Sequence, residues 1–302
     1  MAISSVPVPP LARLRTYASF VRFEHTLFSL PLLLAGVFSV PGPALDAGRW
    51  ALIAVAAVGA RTAAMALNRL IDRRLDALNP RTKARELPAG RMKNAEAVTL
   101  LLLSVAAYLA ASAALGPWFL EVAVVPLAVF TLYPWLKRFT PLCHFGVGLA
   151  LALAPLAGFA AAHPGLERFV PALWLAGFAL CWVSGFDIIY ATLDEDFDRA
   201  NGVHSMVVAL GRPRALALSG ALHAAGFVCL ALAAFTILAP EAAPPPGAAA
   251  ALVATLLATG SLLWLEQRWA EDVNLAFFKV NVFVGFGVLA VVLVARAAAS
   301  GF

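Results

Sequence analysis

The chain has 302 residues, 62% of them hydrophobic and only 13% charged, with a formal net charge of +5. Folding in water would leave most of that apolar surface without a partner, which excludes an ordinary soluble enzyme and points to a polytopic membrane protein. Cys143, Cys181 and Cys229 stand singly in apolar runs, which excludes a disulfide framework and a cysteine zinc site and makes them small buried hydrophobes.

Residues 1–16 carry Pro7, Pro9, Pro10, Arg13 and Arg15 but no compact apolar core with a cleavage site, so a flexible leading segment is expected rather than a cleaved signal peptide. Apolar stretches of bilayer length then recur at 19–40, 49–70, 94–115, 117–136, 142–163, 170–190, 214–238, 247–267 and 276–297. They predict an all-α bundle of nine transmembrane helices in one domain over 1–302. Pro41-Gly-Pro43, Gly116-Pro117, Pro141, His163-Pro-Gly165, Arg212-Pro213 and Pro244-Pro-Pro-Gly247 punctuate them.

Two acidic clusters stand where long apolar stretches end. After the second span comes Asn68-Arg-Leu-Ile-Asp72-Arg-Arg-Leu-Asp76, with Asn68, Asp72 and Asp76 four residues apart. About 120 residues on, after the sixth, comes Asp187-Ile-Ile-Tyr190-Ala-Thr-Leu-Asp194-Glu-Asp-Phe-Asp198, with Asp187, Asp194 and Asp198 at i, i+7 and i+11. On a helix each spacing puts oxygen ligands on one face. Carboxylates near lipid are costly, and two groups of them suggest a cation to hold.

Charge gives the orientation. With nine spans, the N-terminus and the connections after even-numbered spans share one side, which holds 18 of the 22 Lys and Arg residues. The opposite side has Arg49, Arg168 and Arg296, and Arg61 falls within a span. By the positive-inside rule the N-terminus and both clusters are cytoplasmic, in a bacterial-type inner membrane. The net positive charge reflects this bias and calls for no nucleic acid. No obligate protein partner is evident.

Facing carboxylates with an Asn and few soft ligands suit a hard divalent cation such as Mg2+, which keeps some water and shares phosphate oxygens. The segment Asn79-Pro-Arg81-Thr-Lys83-Ala-Arg85-Glu-Leu-Pro-Ala-Gly90-Arg91 supplies dense basic partners for a diphosphate, with Arg22 and Lys137-Arg138 on the same side. A polar head held at the mouth of an apolar bundle implies an amphiphilic substrate. Loss of diphosphate from an allylic chain leaves a carbocation, for which Tyr133, Trp135, Phe186 and Tyr190 offer aromatic faces. His25, His144, His163, His204 and His223 show no metal spacing and read as structural.

These residues resemble the UbiA superfamily of intramembrane prenyltransferases. Asn68-x-x-x-Asp72-x-x-x-Asp76 is similar to that family's first Asp-rich motif, and Asp187-x-x-Tyr190-x-x-x-Asp194-x-x-x-Asp198 to its second. The resemblance implies magnesium at Asn68, Asp72, Asp194 and Asp198, with Asp76 and Asp187 close by. It implies transfer of a prenyl chain from a prenyl diphosphate to a small aromatic acceptor, for which the residues above offer Arg22, Arg81, Lys83, Arg85 and Lys137 as diphosphate-binding candidates and Tyr133 and Tyr190 for an aromatic pocket. Phe20–Pro31, Asn79–Pro88 and Tyr133–His144 resemble the 4-hydroxybenzoate polyprenyltransferase group, and especially its MqnP relatives of menaquinone synthesis. Arg85-Glu86 stands where many members have Arg-Pro, and Asn68-Arg69 where many have Asn-Asp. The acceptor is therefore either of 4-hydroxybenzoate type or of 1,4-dihydroxy-6-naphthoate type. Asp187 is the candidate for taking the ring proton.

Two other classes are less consistent with the chain. A cation-coupled transporter would place its carboxylates at mid-span with broken helices. A CDP-alcohol phosphotransferase would gather them in one segment.

Overall fold

A computed structural model describes residues 10–22, 24, 26–238, 245–270 and 279–300. Among them the helices are α1 (Pro10–Phe20), α2 (Thr26–Phe38), α3 (Ala47–Leu78), α4 (Asn94–Leu115), α5 (Pro117–Val122), α6 (Val124–Leu136), α7 (Cys143–Ala162), α8 (Val170–Ala191), α9 (Glu195–Ala200), α10 (Met206–Leu210), α11 (Arg212–Leu238), α12 (Pro246–Arg268) and α13 (Asn281–Ala299), and no strand forms. Residues 1–9 of the expected leading segment and 276–278 of the ninth expected span lie outside the described residues; from Pro10 onward the leading segment is helical.

Among the described residues eight helical segments are long and apolar enough to cross a membrane, and they correspond to the second through ninth expected spans. The first expected span is not one helix. It breaks between α1 and α2, where Arg22 takes a left-handed φ of 47°. Polar groups meet at the break: Arg22 and Glu24, near the start of the apolar run, pair at 3.3 Å, and the Arg61 guanidinium donates to the Arg22 carbonyl at 3.1 Å. The apolar helix that remains, α2, has 13 residues and is about 20 Å long, short of a bilayer core of about 30 Å.

At 32 residues, or about 48 Å, α3 is longer than the bilayer core. Asp46 caps its start, its carboxylate accepting from the Arg49 amide at 2.8 Å. Its last turns carry Asn68, Asp72 and Asp76 out of the apolar layer. Pro80 then disfavours helical backbone at Asn79, which is extended at φ −79°, ψ 120°.

The core centres on α8, where Leu175, Phe178, Trp182 and Val183 are fully buried against α7, α11 and α13. Without competing hydrophobic drive in lipid, such helices pack through small residues. A Cβ on Gly158 of α7 would run into the Leu33 carbonyl of α2, and one on Gly148 into Ser184 of α8. Cross-links sort the bundle into two ends. At one, Arg49 Nε donates to the Ala161 carbonyl at 2.7 Å and the His163 ring meets the Val40 carbonyl at 3.2 Å. At the other, the end of α3, the α6–α7 turn and the end of α8 converge.

Candidate active site

At that second end a cavity of about 220 Å³ opens between the two acidic clusters. Asn68, Asp72 and Asp76 line it from α3, and Asp187, Tyr190, Asp194 and Asp198 from α8 and α9. Arg81 and Arg85 enter from the loop after α3, Tyr133 and Lys137 from the end of α6, and His144 from the start of α7. Arg22 and Lys83 are not in the lining; Lys83 is exposed, and Arg22 sits at the α1–α2 break.

Each acid of the first cluster has cationic neighbours. Asp72, 2% exposed, accepts from Lys137 Nζ at 2.6 Å and Arg138 Nη1 at 3.3 Å. Asp76 accepts from Arg85 at 2.7 Å through Oδ1, while its buried Oδ2 lies 4.0 Å from Arg69 without a hydrogen bond. Burial alone would lower the Lys137 ammonium, but the charge of Asp72 outweighs it and holds the group above its ordinary value.

The second cluster is held by two side chains of the segment that follows the first, Arg81 and Asn79. Arg81 Nε donates to Asp194 Oδ1 at 2.8 Å, its Nη2 donates to Asp194 Oδ2, and its Nη1 donates to the Tyr190 hydroxyl at 2.7 Å. Its guanidinium carbon lies 4.6 Å from the centre of the Tyr190 ring. Burial pulls this guanidinium down, and the hydrogen bonds to Asp194 more than offset it, leaving it raised. Asn79 Nδ2 adds a bond to Asp194 Oδ1 at 2.8 Å. Asp187 accepts from His144 Nδ1 at 2.7 Å.

Asn79 and His144 were not among the residues singled out for the site. Asn79 was findable, since it continues the face of Asn68, Asp72 and Asp76 at i+11. His144 lies 43 residues from Asp187 and has no spacing signal.

The donors facing this cavity are hard oxygens, and Asp76 Oδ2 is buried and unpartnered, which suits magnesium. Among the described residues no three carboxylate, imidazole or thiolate groups converge closely enough to hold an ion by themselves.

The arrangement is a helical bundle of membrane-spanning length with paired acidic motifs and interleaved cations around one polar cavity, that of an intramembrane enzyme. The family model described as the UbiA prenyltransferase family matches residues 29–299, and the chain belongs to that family. A 4-hydroxybenzoate octaprenyltransferase of Shewanella denitrificans is 30% identical over 207 residues, covering 67% of this chain and 69% of the relative. The apo structure of a UbiA homologue from Aeropyrum pernix K1 superposes with a TM-score of 0.75 at 31% identity, covering 91% of this chain and 96% of that one. A UbiA homologue from Archaeoglobus fulgidus bound to GPP and Mg2+ shares the fold, with a TM-score of 0.67 at 20% identity over 94% of this chain and 99% of that one. The expectation of an integral membrane aromatic polyprenyltransferase of the 4-hydroxybenzoate polyprenyltransferase group is met.

Proposed function

We propose that the chain transfers a polyprenyl group from a prenyl diphosphate to a carboxylated phenolic ring, of 4-hydroxybenzoate or 1,4-dihydroxy-6-naphthoate type, in quinone biosynthesis. One observation carries this reading: both acidic clusters and three cations line one cavity at the end of an apolar bundle. The relative from Shewanella denitrificans is named for the benzoate acceptor, and the Archaeoglobus fulgidus homologue for GPP and Mg2+. The Arg85-Glu86 and Asn68-Arg69 pairs keep the naphthoate acceptor beside the benzoate.

Asp72, Asp76, Asp194 and Asp198, with Asn68, are the residues that would hold magnesium. Bound there, the metal supplies stabilisation of negative charge on the leaving diphosphate. Arg81, Arg85 and Lys137 bind the diphosphate oxygens, turning from the carboxylates they now neutralise. Tyr133 and Tyr190 present ring faces beside the carbon that loses its diphosphate. The ring carbon attacks that allylic centre, and Asp187 takes the proton that leaves the ring. Arg61, seven residues before Asn68 and so on its face of α3, lies outside the cavity lining and has a buried Nε–H without a hydrogen bond, which the carboxylate of an acceptor reaching that depth would satisfy. The excess of basic residues at this end of the bundle supports a cytoplasmic position for it and for the N-terminus, in an inner membrane.

The test is purified protein with farnesyl diphosphate, magnesium and the two acceptors side by side, products read by mass spectrometry. A prenylated ring formed only with magnesium supports the proposal. No product with either acceptor refutes it.

A further inference from the structure

His144 belongs to neither acidic motif, yet it is the side chain that holds Asp187. It is 3% exposed at the start of α7, and its Nδ1 lies 2.7 Å from Asp187 Oδ2. Its other nitrogen, Nε2, receives the backbone N–H of Met206 at 3.2 Å. A nitrogen that accepts an N–H keeps its lone pair, so Nδ1 is the nitrogen that carries a proton and donates it to Asp187. Two further bonds fasten the same corner: the His204 amide donates to the Lys137 carbonyl at 2.7 Å, and the Cys143 thiol to the His204 carbonyl at 3.4 Å. The imidazole is thus clamped between α8 and the first turn of α10, with no freedom to swing. Asp187 makes no other hydrogen bond among the described residues and lines the cavity.

We infer that His144 is a positioning residue for prenyl transfer, which engages Asp187 Oδ2 and thereby turns Oδ1 to the cavity. This rests on the reading of the site as a prenyltransferase. In the final step the substituted ring carbon gives its proton to Oδ1, and the C–H electron pair restores the aromatic ring. Asp187 then releases the proton to water. His144 neither gains nor loses a proton, because Nε2 is occupied by Met206. Its contribution is orientation of the carboxylate, the kind of support whose loss costs roughly 10–100-fold in rate.

The experiment compares His144→Met, which fills the buried space without a donor, with His144→Gln, whose amide reproduces both bonds: N–H to Asp187 and C=O from Met206. Each is also combined with Asp187→Ala. With farnesyl diphosphate, magnesium and the better acceptor, His144→Met lowers kcat roughly 30-fold with KM for the diphosphate unchanged within about twofold, and His144→Gln stays within about fivefold of the parent. In the Asp187→Ala background, His144→Met has no further effect on the residual rate, because its partner is gone. Thermal stabilisation by geranyl diphosphate with magnesium is retained in every variant, which separates misfolding from misplacement. The inference is overturned if His144→Gln is as slow as His144→Met, if the two losses multiply in the double variant, or if ligand stabilisation disappears with His144. Absence of product from the parent protein overturns the prenyltransferase reading instead.

Discussion

Asp194→Asn separates the structural and chemical duties of the second cluster. The side chain accepts three hydrogen bonds, from Asn79 Nδ2 and Arg81 Nε at Oδ1 and from Arg81 Nη2 at Oδ2. The amide keeps the Oδ1 acceptor but sets its own NH2 against the Arg81 fork, so one charge-assisted bond is lost and the other weakened. Asp194 and Arg81 are 14% and 29% exposed as side chains, between the surface and buried regimes, and the loss is about 2 kcal/mol. Spread over 302 residues, with an unfolding entropy of about 0.6 kcal/mol per kelvin, that lowers Tm by about 3 °C. The rate responds far more. Removing one negative ligand from the proposed metal shell costs about 4 kcal/mol of transition-state stabilisation, a fall of about 1,000-fold in kcat. Differential scanning fluorimetry and a saturating-magnesium turnover assay on one preparation give both numbers. Turnover within tenfold of the parent would refute the metal-jaw assignment. A Tm loss beyond about 10 °C, with activity tracking the folded fraction, would make Asp194 a structural staple alone.

Lys137→Ala should raise KM for prenyl diphosphate about tenfold or more, whereas Lys83→Ala, at an exposed position outside the cavity, should change it less than about twofold; steady-state kinetics at fixed acceptor checks both. Arg61→Ala should raise KM for a carboxylated acceptor about tenfold and leave KM for prenyl diphosphate unchanged, as varying each substrate in turn will show. Gly158→Ala should destabilise the α2–α7 contact by about 1–3 kcal/mol, because the added methyl meets the Leu33 carbonyl rather than a flexible side chain; thermal melts in detergent report it.

The bundle was legible because bilayer length and apolar composition mark each span almost independently of its neighbours. Among the described residues eight of the nine expected spans stand as helical segments, with the second extending over 71–78 past its predicted boundary, where Asp72 and Asp76 are neutralised by Lys137 from the turn after α6 and Arg85 from the loop after α3. The miss is instructive. Residues 19–40 look like one span by average hydropathy, but averaging hides Arg22 and Glu24 near its start, which pair with each other where α1 ends, with the Arg22 carbonyl bonded to Arg61. At the site, helical spacing exposed Asn68, Asp72, Asp76, Asp187, Asp194 and Asp198 because each set lies on one local face. Which side chain serves which acid was not legible: Arg81 crosses 113 residues to reach Asp194, and His144 reaches Asp187 from another helix. Such pairings are properties of packing and leave no mark on local pattern.

Those pairings also bear on how substrate and metal enter. The cavity is lined by five aspartates and by Arg81, Arg85 and Lys137, with Arg138 bonded to Asp72 from outside. A prenyl diphosphate brings roughly three more negative charges. Each basic group that turns to the diphosphate deserts a buried or half-buried carboxylate, and leaving such a charge uncompensated costs several kcal/mol. A divalent cation arriving with the diphosphate removes that penalty, so the two ligands bind with positive coupling. A coupling of about 3 kcal/mol is about 150-fold in affinity, and by linkage it is the same whichever ligand binds first. Calorimetric titration of a non-hydrolysable prenyl diphosphate, without magnesium and at saturating magnesium, measures it directly. Equal affinities would mean that the cations reach the diphosphate without leaving the aspartates, and that the ion pairs seen here persist through the reaction.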